Sequence, residues 1–600
     1  MKNQSKWILI GLPIMIGVLI YLGLLLWRWL FVFYNDVDSL LSPIIAGFRL
    51  DWSMTAGVLL LLYFPYLIYI ISGKNWAKGL LHGLTLILWT IVSITELSSI
   101  LLYKEWGSTL DARAVSYLAH PGEAWASVRD FIPWLELLLG LVIFWGIIFL
   151  ITQFFNWVKP FKIRDLVGWS WLILLGPLLF LMLRGGWQKL PVTPSDAYYS
   201  TDMKRNIAAV NKVWYFIYSM IKTGKNDLRH SSNTIAMFEQ EYQESRCTNS
   251  DKDGSWTDKN VVLVVMEGWS ADMVDYLYGQ ENVTPFFDSL SNHSIRFTNA
   301  FSTGFRTDQG VASILSGVPS MESLNVPNVI SKVPHLPSLP SVMKSAGRSV
   351  SFIYGGDLNF SNLYNFLTTL GVDTIIRQED FDRKYRTTDW GVPDHITVRK
   401  GIEVMNTQDA PFFSMMLLLS SHAPFEIPYP NDFSDREDNA SKYKASVKYS
   451  DSALKFFFDD AQLQPWYDNT VFIITADHGS THSGWAGMED QNRFRIPLIV
   501  FDPSANRVSP EEVTVPCDHF DLPLTICKMT GADATPFLFS RNIFCSATSQ
   551  FAYFNSDHFA GRYGLTNNCI QLYDTTADTG CSPATLFLDM IKSWYNHLGN

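Results

Sequence analysis

Asn260-Val261-Val262-Leu263-Val264-Val265-Met266-Glu267-Gly268-Trp269-Ser270 sets an unbroken apolar run between a polar start and an acidic, glycine-containing end. A run this short, rich in β-branched residues and without polar alternation, is the pattern of a strand buried on both faces, as at the centre of a parallel sheet. A second run of the same kind, Val471–Thr475, leads into Ala476-Asp477-His478-Gly479. Further strand-like runs lie at Ser349–Tyr354, Phe412–Leu419 and Ile496–Phe501. Helical patterns fall between them at Val283–Ser291, Thr307–Ser316, Ser338–Ala346 and Tyr443–Asp460. Strands alternating with helices predict an α/β domain over residues 257–600, its mostly parallel sheet covered by helices on both faces. From about Ala534 the pattern is less regular.

Toward the N-terminus the character changes. The 600-residue chain is 48% hydrophobic and 14% aromatic but only 17% charged, against roughly 25% charged for an ordinary globular domain. Disordered, collagen-like and coiled-coil chains are excluded by these figures. The apolar excess is concentrated in residues 1–185, where five runs near Trp7–Tyr34, Thr55–Ser72, Leu80–Tyr103, Phe131–Phe155 and Leu166–Leu183 are long enough to span a bilayer as helices. Lys2, Lys6, Lys74, Lys78, Lys159, Lys162 and Arg164 fall on one side of these runs; Asp36, Asp38, Asp51, Asp111 and Glu123 mark the other. The positive-inside rule then places the N-terminus in the cytoplasm, and five crossings deliver the α/β domain to the outer face of the membrane. The first run is too long for a cleaved signal peptide and lacks a small-residue cleavage site, so it is expected to stay as an anchor. Glu96 and Glu136 lie inside these runs, either as a polar pathway or near helix ends facing water. The formal net charge of −11 gives no electrostatic reason to bind nucleic acid.

Residues 186–256 read as a connector, with an amphipathic helix expected over Asp202–Ile221 and an apolar stripe of Ile207, Val210, Val213, Trp214 and Ile217. All six cysteines (Cys247, Cys517, Cys527, Cys545, Cys569 and Cys581) lie beyond the membrane third, which fits disulfides in an oxidising compartment. Their pairing is open, with Cys569–Cys581 favoured by its short loop; buried free thiols are the alternative.

In open α/β sheets ligands bind beyond the carboxyl ends of the strands. Glu267 follows one such end and Asp477-His478 another, together an O/N ligand set for a divalent cation. Phe301-Ser302-Thr303-Gly304-Phe305-Arg306-Thr307 leads into a helix, so Thr307 is either an N-cap or a hydroxyl held where N–H groups and the helix dipole favour an anion. Beside a metal it is a candidate nucleophile. Arg306 is a candidate phosphate clamp or a surface charge. His422, in Ser420-Ser421-His422-Ala423-Pro424, ends another strand and is either a structural hydrogen bonder or a substrate contact. His482, His519 and Arg495 are further candidates for the pocket.

In this order and at these strand ends, Met266-Glu267, Thr307 in its loop, Ser421-His422-Ala423-Pro424, Tyr449-Ser450-Asp451, Ala476-Asp477-His478-Gly479, Arg495-Ile496-Pro497-Leu498 and Asp521-Leu522-Pro523 resemble the alkaline phosphatase/sulfatase superfamily. Within it they resemble the lipoteichoic-acid-synthase-like membrane transferases, whose architecture is five membrane helices followed by an exported sulfatase-like domain. The resemblance implies one divalent ion, Mn²⁺ or Mg²⁺, held by Glu267, Thr307, Asp477 and His478, with Thr307 as nucleophile and His422 contacting phosphate. The Cys-x-Pro-x-Arg signature of sulfatases proper is absent, which disfavours sulfate ester hydrolysis.

One segment departs from the Gram-positive pattern. Where lipoteichoic acid synthases carry His-Gly-Asn followed by Trp-Asn-Arg, this chain reads Tyr354-Gly355-Gly356-Asp357-Leu358-Asn359-Phe360-Ser361-Asn362-Leu363. The segment resembles Gram-negative relatives with envelope glycan acceptors, and Asp357 is either a headgroup contact or part of a turn. The resemblance therefore implies transfer of phosphoglycerol from phosphatidylglycerol, through a phospho-Thr307 intermediate, to a glycan or lipid-linked acceptor. The inner membrane is its expected location, with the catalytic domain periplasmic or extracellular. A phosphoethanolamine transferase using phosphatidylethanolamine and a phosphoesterase using the same Thr and metal are the alternatives.

Overall fold

The computed structural model describes residues 2–599 except 107–108, 111–133, 158–165, 189–190, 201, 223–227, 280–281, 322–323, 436–437, 481, 483–489, 506–508, 546–550, 557–558, 565–567 and 573–581. The chain divides into two compact units, Met1–Thr223 and Gly224–Asn600. The stretch read from sequence as a connector is shared between them.

In the first unit the described residues of the five apolar runs fall in helices Lys2–Tyr34, Leu41–Ser72, Asn75–Trp106, Trp134–Trp157 and Leu166–Leu183. Three of these, over Leu12–Tyr34, Leu41–Ser72 and Asn75–Leu101, are long and apolar enough to cross a membrane. The described apolar parts of the other two, Leu138–Gln153 and Ser170–Leu183, are shorter. The helix expected over Asp202–Ile221 is two helices, Met203–Ala209 and Lys212–Lys222. Asn211 causes the break: its Oδ1 accepts the Trp214 N–H at 2.9 Å, starting a new helix, while its Nδ2 donates to buried Asp51 at 2.8 Å. Asp51 also takes Arg28 Nη2 at 2.8 Å. Glu96 is buried beside Lys212; the side chain of Glu136 lies outside the described residues.

The second unit is built on thirteen described strands: β1 (Asn260–Met266), β2 (Ile295–Phe297), β3 (Ala300–Phe301), β4 (Ser349–Tyr354), β5 (Thr374–Ile376), β6 (Phe412–Leu417), β7 (Thr470–Ala476), β8 (Leu498–Phe501), β9 (Glu511–Val513), β10 (Cys517–Asp518), β11 (Phe551–Asn555), β12 (Phe559–Gly564) and β13 (Cys569–Leu572). Eight form one sheet in the order β5-β4-β6-β1-β7-β8-β2-β9. From β5 to β7 every pairing is parallel; β8 runs antiparallel to both β7 and β2. Every residue of β1 and β7 is buried, as their unbroken apolar runs require. Fully burying each Val or Ile there contributes about 1.5–3 kcal/mol.

The five strands expected from sequence are β1, β4, β6, β7 and β8, and the four expected helices are present as Pro285–Ser291, Thr307–Ser316, Leu339–Ser345 and Asn439–Ala461. The region after Ala534 is more regular than its sequence reads, with β11–β13 forming an antiparallel sheet and Ser582–His597 a helix. The short strands β2, β5 and β9 carry too few residues for periodicity to show.

Cys247 and Cys545 form a disulfide, while Cys517 and Cys527 are buried free thiols. Cys569 is disulfide-bonded as well; Cys581 lies outside the described residues.

Candidate metal and nucleophile site

The register of β1 on β7 builds the centre of the site. Met266 pairs with Ala476, so the next residues on the two parallel strands, Glu267 and Asp477, emerge side by side at the inter-strand spacing of about 4.8 Å. The chain turns immediately after each. Gly268 adopts φ +61°, a left-handed conformation that costs glycine little, and its N–H donates to Asp477 Oδ1 at 2.8 Å. The His478 N–H donates to the same oxygen at 2.8 Å. Tyr443 clamps the first turn, its hydroxyl donating to Gly268 O at 2.7 Å. His519 anchors the second through Nε2 to Ala476 O at 2.7 Å.

The imidazole of His478 donates from Nδ1 to Gly479 O at 2.9 Å, which turns Nε2 toward the carboxylates. Nε2 lies 3.4 Å from Glu267 Oε1 and 3.5 Å from Asp477 Oδ2. Thr307 begins the helix Thr307–Ser316, and its hydroxyl donates to Glu267 Oε2 at 3.2 Å. Gly310 allows that helix to reach the strand end, since a Cβ there would lie 2.2 Å from Asp477 O. One ligand atom each from Glu267, Asp477 and His478 falls within a 4.8 Å cluster, the only such group among the described residues.

The electrostatics of this cluster are those of a cation site. Glu267 and Asp477 are 4% and 0% exposed, and Asp477 Oδ2 has no hydrogen-bond donor. Burial, with the neighbouring Glu267 charge adding to it, pushes Asp477 up to about 7. Burial opposes charge on His478, yet Asp477 and Glu267 raise it to about 10. Burial also works against ionised Glu267, but His478 more than offsets it and holds that carboxyl below its usual range. Two buried carboxylates thus share one imidazolium proton, and a divalent cation supplies the missing charge better than that proton does. Two carboxylates, an imidazole and a hydroxyl suit a hard or borderline ion.

The other residues predicted from sequence lie at different distances from this chemistry. His422 donates from Nδ1 to Ala423 O at 2.8 Å and has its ring centroid 3.9 Å from that of Trp390. Its positive form would help to keep Glu267 ionised. Arg306 precedes Thr307, with its Nε 3.7 Å from Asp308 Oδ1. Asp357 accepts the Asn359 N–H at 2.9 Å, so it organises the turn after β4. Arg495 donates to Thr298 O at 3.0 and 2.6 Å. The ring of His482 packs edge-on to Phe425 at 5.1 Å.

Sequence reasoning missed Asp308, buried behind Thr307 and bonded to Asn325 Nδ2. It also missed Trp390, which reaches His422 from another loop and donates Nε1 to Ala423 O at 2.7 Å. An acidic residue in the first turn of a helix is common, so Asp308 carried no distinguishing signal. Gly310 did carry one, a glycine inside a helix against its propensity.

Residues 259–532 match the family model described as Sulfatase. They form a sulfatase-family domain. The match starts one residue before β1 and ends just past the helix Leu522–Thr530, enclosing the eight-stranded sheet and the whole cluster. Lipoteichoic acid synthase 2 of Bacillus subtilis is 24% identical over 347 residues, covering 53% of this chain and 52% of that protein. Phosphoglycerol transferase I of Salmonella arizonae is 23% identical over 294 residues, 43% of this chain and 37% of that one. The chain thus spans about half the length of the first relative and less of the second. The structure of a protein in the alkaline phosphatase superfamily from Vibrio parahaemolyticus aligns with a TM-score of 0.52 at 23% identity, over 61% of this chain and 97% of that one. That likeness establishes the shared fold, and the sulfatase-family domain is where it resides.

Proposed function

We propose that this protein is a metal-dependent membrane transferase that moves a phospho-headgroup, phosphoglycerol from phosphatidylglycerol, onto an envelope glycan or lipid-linked acceptor. The observation that carries the reading is the Thr307 hydroxyl, at the start of a ten-residue helix and 3.2 Å from Glu267 in the cluster with Asp477 and His478. The names of the matched relatives, a lipoteichoic acid synthase and a phosphoglycerol transferase, support the substrate class.

Glu267, Asp477, His478 and Thr307 would hold one divalent ion, Mn²⁺ or Mg²⁺, which when bound supplies acidity to the Thr307 hydroxyl and charge stabilisation to phosphate oxygens. The helix start presents N–H groups to the phosphate. Thr307 Oγ1 gives up its proton and attacks phosphorus, and the bond to the diacylglycerol oxygen breaks as that oxygen takes up a proton. The phospho-headgroup is then carried on Thr307. An acceptor hydroxyl attacks the same phosphorus, loses its proton, and breaks the bond to Thr307 Oγ1, restoring the hydroxyl. His422 and Arg306 contact the phosphate, and Asp357 shapes the turn beside the headgroup.

The apolar N-terminal helices would anchor the chain in the membrane that holds the lipid donor. The inner membrane, a cytoplasmic N-terminus and an outward-facing catalytic domain complete the reading, and the Cys247–Cys545 disulfide fits that compartment.

The test incubates purified full-length protein and Mn²⁺ with fluorescent-acyl phosphatidylglycerol or phosphatidylethanolamine, with Thr307→Ala in parallel. Labelled diacylglycerol is expected from phosphatidylglycerol and is lost in the variant. Release from phosphatidylethanolamine alone would move the assignment to a phosphoethanolamine transferase. Absence of release from either, in folded and metal-loaded protein, would overturn headgroup transfer.

A further inference from the structure

Arg493 is a buried cation with no counter-charge among the described residues. It is 8% exposed, its Nε is buried with no hydrogen-bond partner, and among the described residues its side chain has no ion pair. The guanidinium carbon lies 5.5 Å from the centroid of the Phe305 ring. A buried guanidinium is ordinarily paired or fully hydrogen-bonded, because desolvation without compensation costs several kcal/mol. Burial accordingly pulls its pKa below the ordinary arginine value.

The backbone fixes where this cation sits. Phe494 O, the next carbonyl, accepts the Ser302 N–H at 2.7 Å, tying the segment to the loop that carries Thr307. Arg493 O abuts the turn after His478 so closely that a Cβ on Gly479 would lie 2.0 Å from it. Phe305 is two residues before Thr307, and its N–H is held by Gln309 Oε1 at 3.0 Å. A second guanidinium shares the ring: Arg306 lies 5.2 Å from the same centroid. The two arginines differ in exposure and in pairing: the Arg306 side chain is 40% exposed and has Asp308 at 3.7 Å, whereas Arg493 is 8% exposed and pairs with no acid among the described residues.

We propose that Arg493 is an anion-binding residue of this site, and that with Arg306 on the same Phe305 ring it takes the oxygens of a substrate phosphate beside Thr307. The chemical class follows from the donor: a planar guanidinium with unused N–H groups matches phosphate oxygens in fork geometry. Phe305 holds the pair in place without neutralising it. That the anion is a phosphate rests on the transferase reading above; that an anion binds rests on Arg493 itself.

The test measures binding rather than turnover. Full-length protein in detergent with Mn²⁺, carrying Thr307→Ala to prevent reaction, is titrated calorimetrically with glycerol 1-phosphate and, separately, with short-chain phosphatidylglycerol. Arg493→Gln and Arg493→Lys are compared in the same background. Arg493→Gln is expected to weaken binding by about tenfold or more, as for the loss of a charge-assisted hydrogen bond. Arg493→Lys, which keeps the charge but not the fork, is expected to fall between the Gln variant and the parent. A loss seen with both probes assigns Arg493 to the phosphate itself; a loss with the lipid alone assigns it to the phosphodiester of a headgroup. Unchanged affinity for both probes in Arg493→Gln overturns the proposal, as does a fall in Tm with no change in affinity. If Arg493→Gln loses phosphate while the protein with Thr307 intact releases no diacylglycerol, the anion site stands and the transferase reading fails.

Discussion

Among the charges buried in the second unit, two sets are built to opposite rules. Asp521 and Arg541 are closed on each other: Nε and Nη2 of Arg541 donate to the two carboxylate oxygens at 3.0 and 2.7 Å, and Nη1 donates to Phe551 O at 2.6 Å. Glu267, Asp477 and His478 are left open, with two carboxylates to one imidazole and Asp477 Oδ2 lacking a donor. The closed pair spends its hydrogen-bonding capacity holding the helix Leu522–Thr530 to β11. The open cluster leaves a buried carboxylate oxygen without a donor. Burial does not separate these two sets, since Asp521 and Asp477 are both 0% exposed; the donors each carboxylate meets do.

The comparison breaks or sharpens under substitution. The largest effect is expected from Thr307→Ala, which lowers diacylglycerol release by about 10³-fold or more, the scale for removing a nucleophile. Mn²⁺ affinity should fall much less, because the two carboxylates and the imidazole remain.

Next comes a matched pair of variants. Asp477→Asn is expected to lower Mn²⁺ affinity by about 100-fold, judged from the loss of one charged ligand, while leaving the metal-free Tm unchanged or higher. Arg541→Met is expected to cost about 3–5 kcal/mol by stranding the Asp521 charge, with little change in Mn²⁺ affinity among molecules that remain folded. Calorimetric titration and thermal unfolding read both. Equal effects of the two variants on metal affinity would erase the distinction between open and closed clusters.

A smaller effect concerns protons. With Asp477 near 7 and His478 near 10 in the metal-free cluster, cation binding must displace the protons these groups carry. At pH 8 only His478 is protonated, and about one proton should be released per ion; at pH 6 Asp477 is protonated too, and release should approach about two. Affinity therefore falls as pH is lowered, most steeply below 7. Titrations in buffers of different ionisation enthalpy measure the count, and a pH-independent value of zero would show that the cluster is not the cation site. The smallest effect is expected at Asp357, whose carboxylate already serves the Asn359 N–H. Asp357→Asn should change release from phosphatidylglycerol by no more than about threefold, the effect of one modest hydrogen bond.

The sequence was most informative where local pattern and chemistry coincide. Val261–Met266 and Val471–Thr475 read as buried strands because their apolar runs have no alternation, and the acids and His that follow them had to emerge at the strand ends. Glu267, Asp477 and His478 stood out as strand-end residues for that reason, and Thr307 as the first residue of a helix. The single helix expected over Asp202–Ile221 was not what formed, because Asn211 is recruited by Asp51 from 160 residues away, a demand that no local window contains. The Cys247–Cys545 bridge spans a separation of 298 residues and was equally out of reach.

Sequence by itself determined the division into an apolar helical part and an α/β part, the identity of the central strands, and the chemical character of the residues at their ends. Those follow from periodicity and side-chain chemistry, which are local properties. Only the tertiary structure decided that Met266 pairs with Ala476, which sets Glu267 against Asp477, that Gly310 lets Thr307 reach them, and that Arg493 is buried on Phe305. Register, close approach and the balance of buried charge are sums over distant parts of the chain, and they exist only once those parts are packed together.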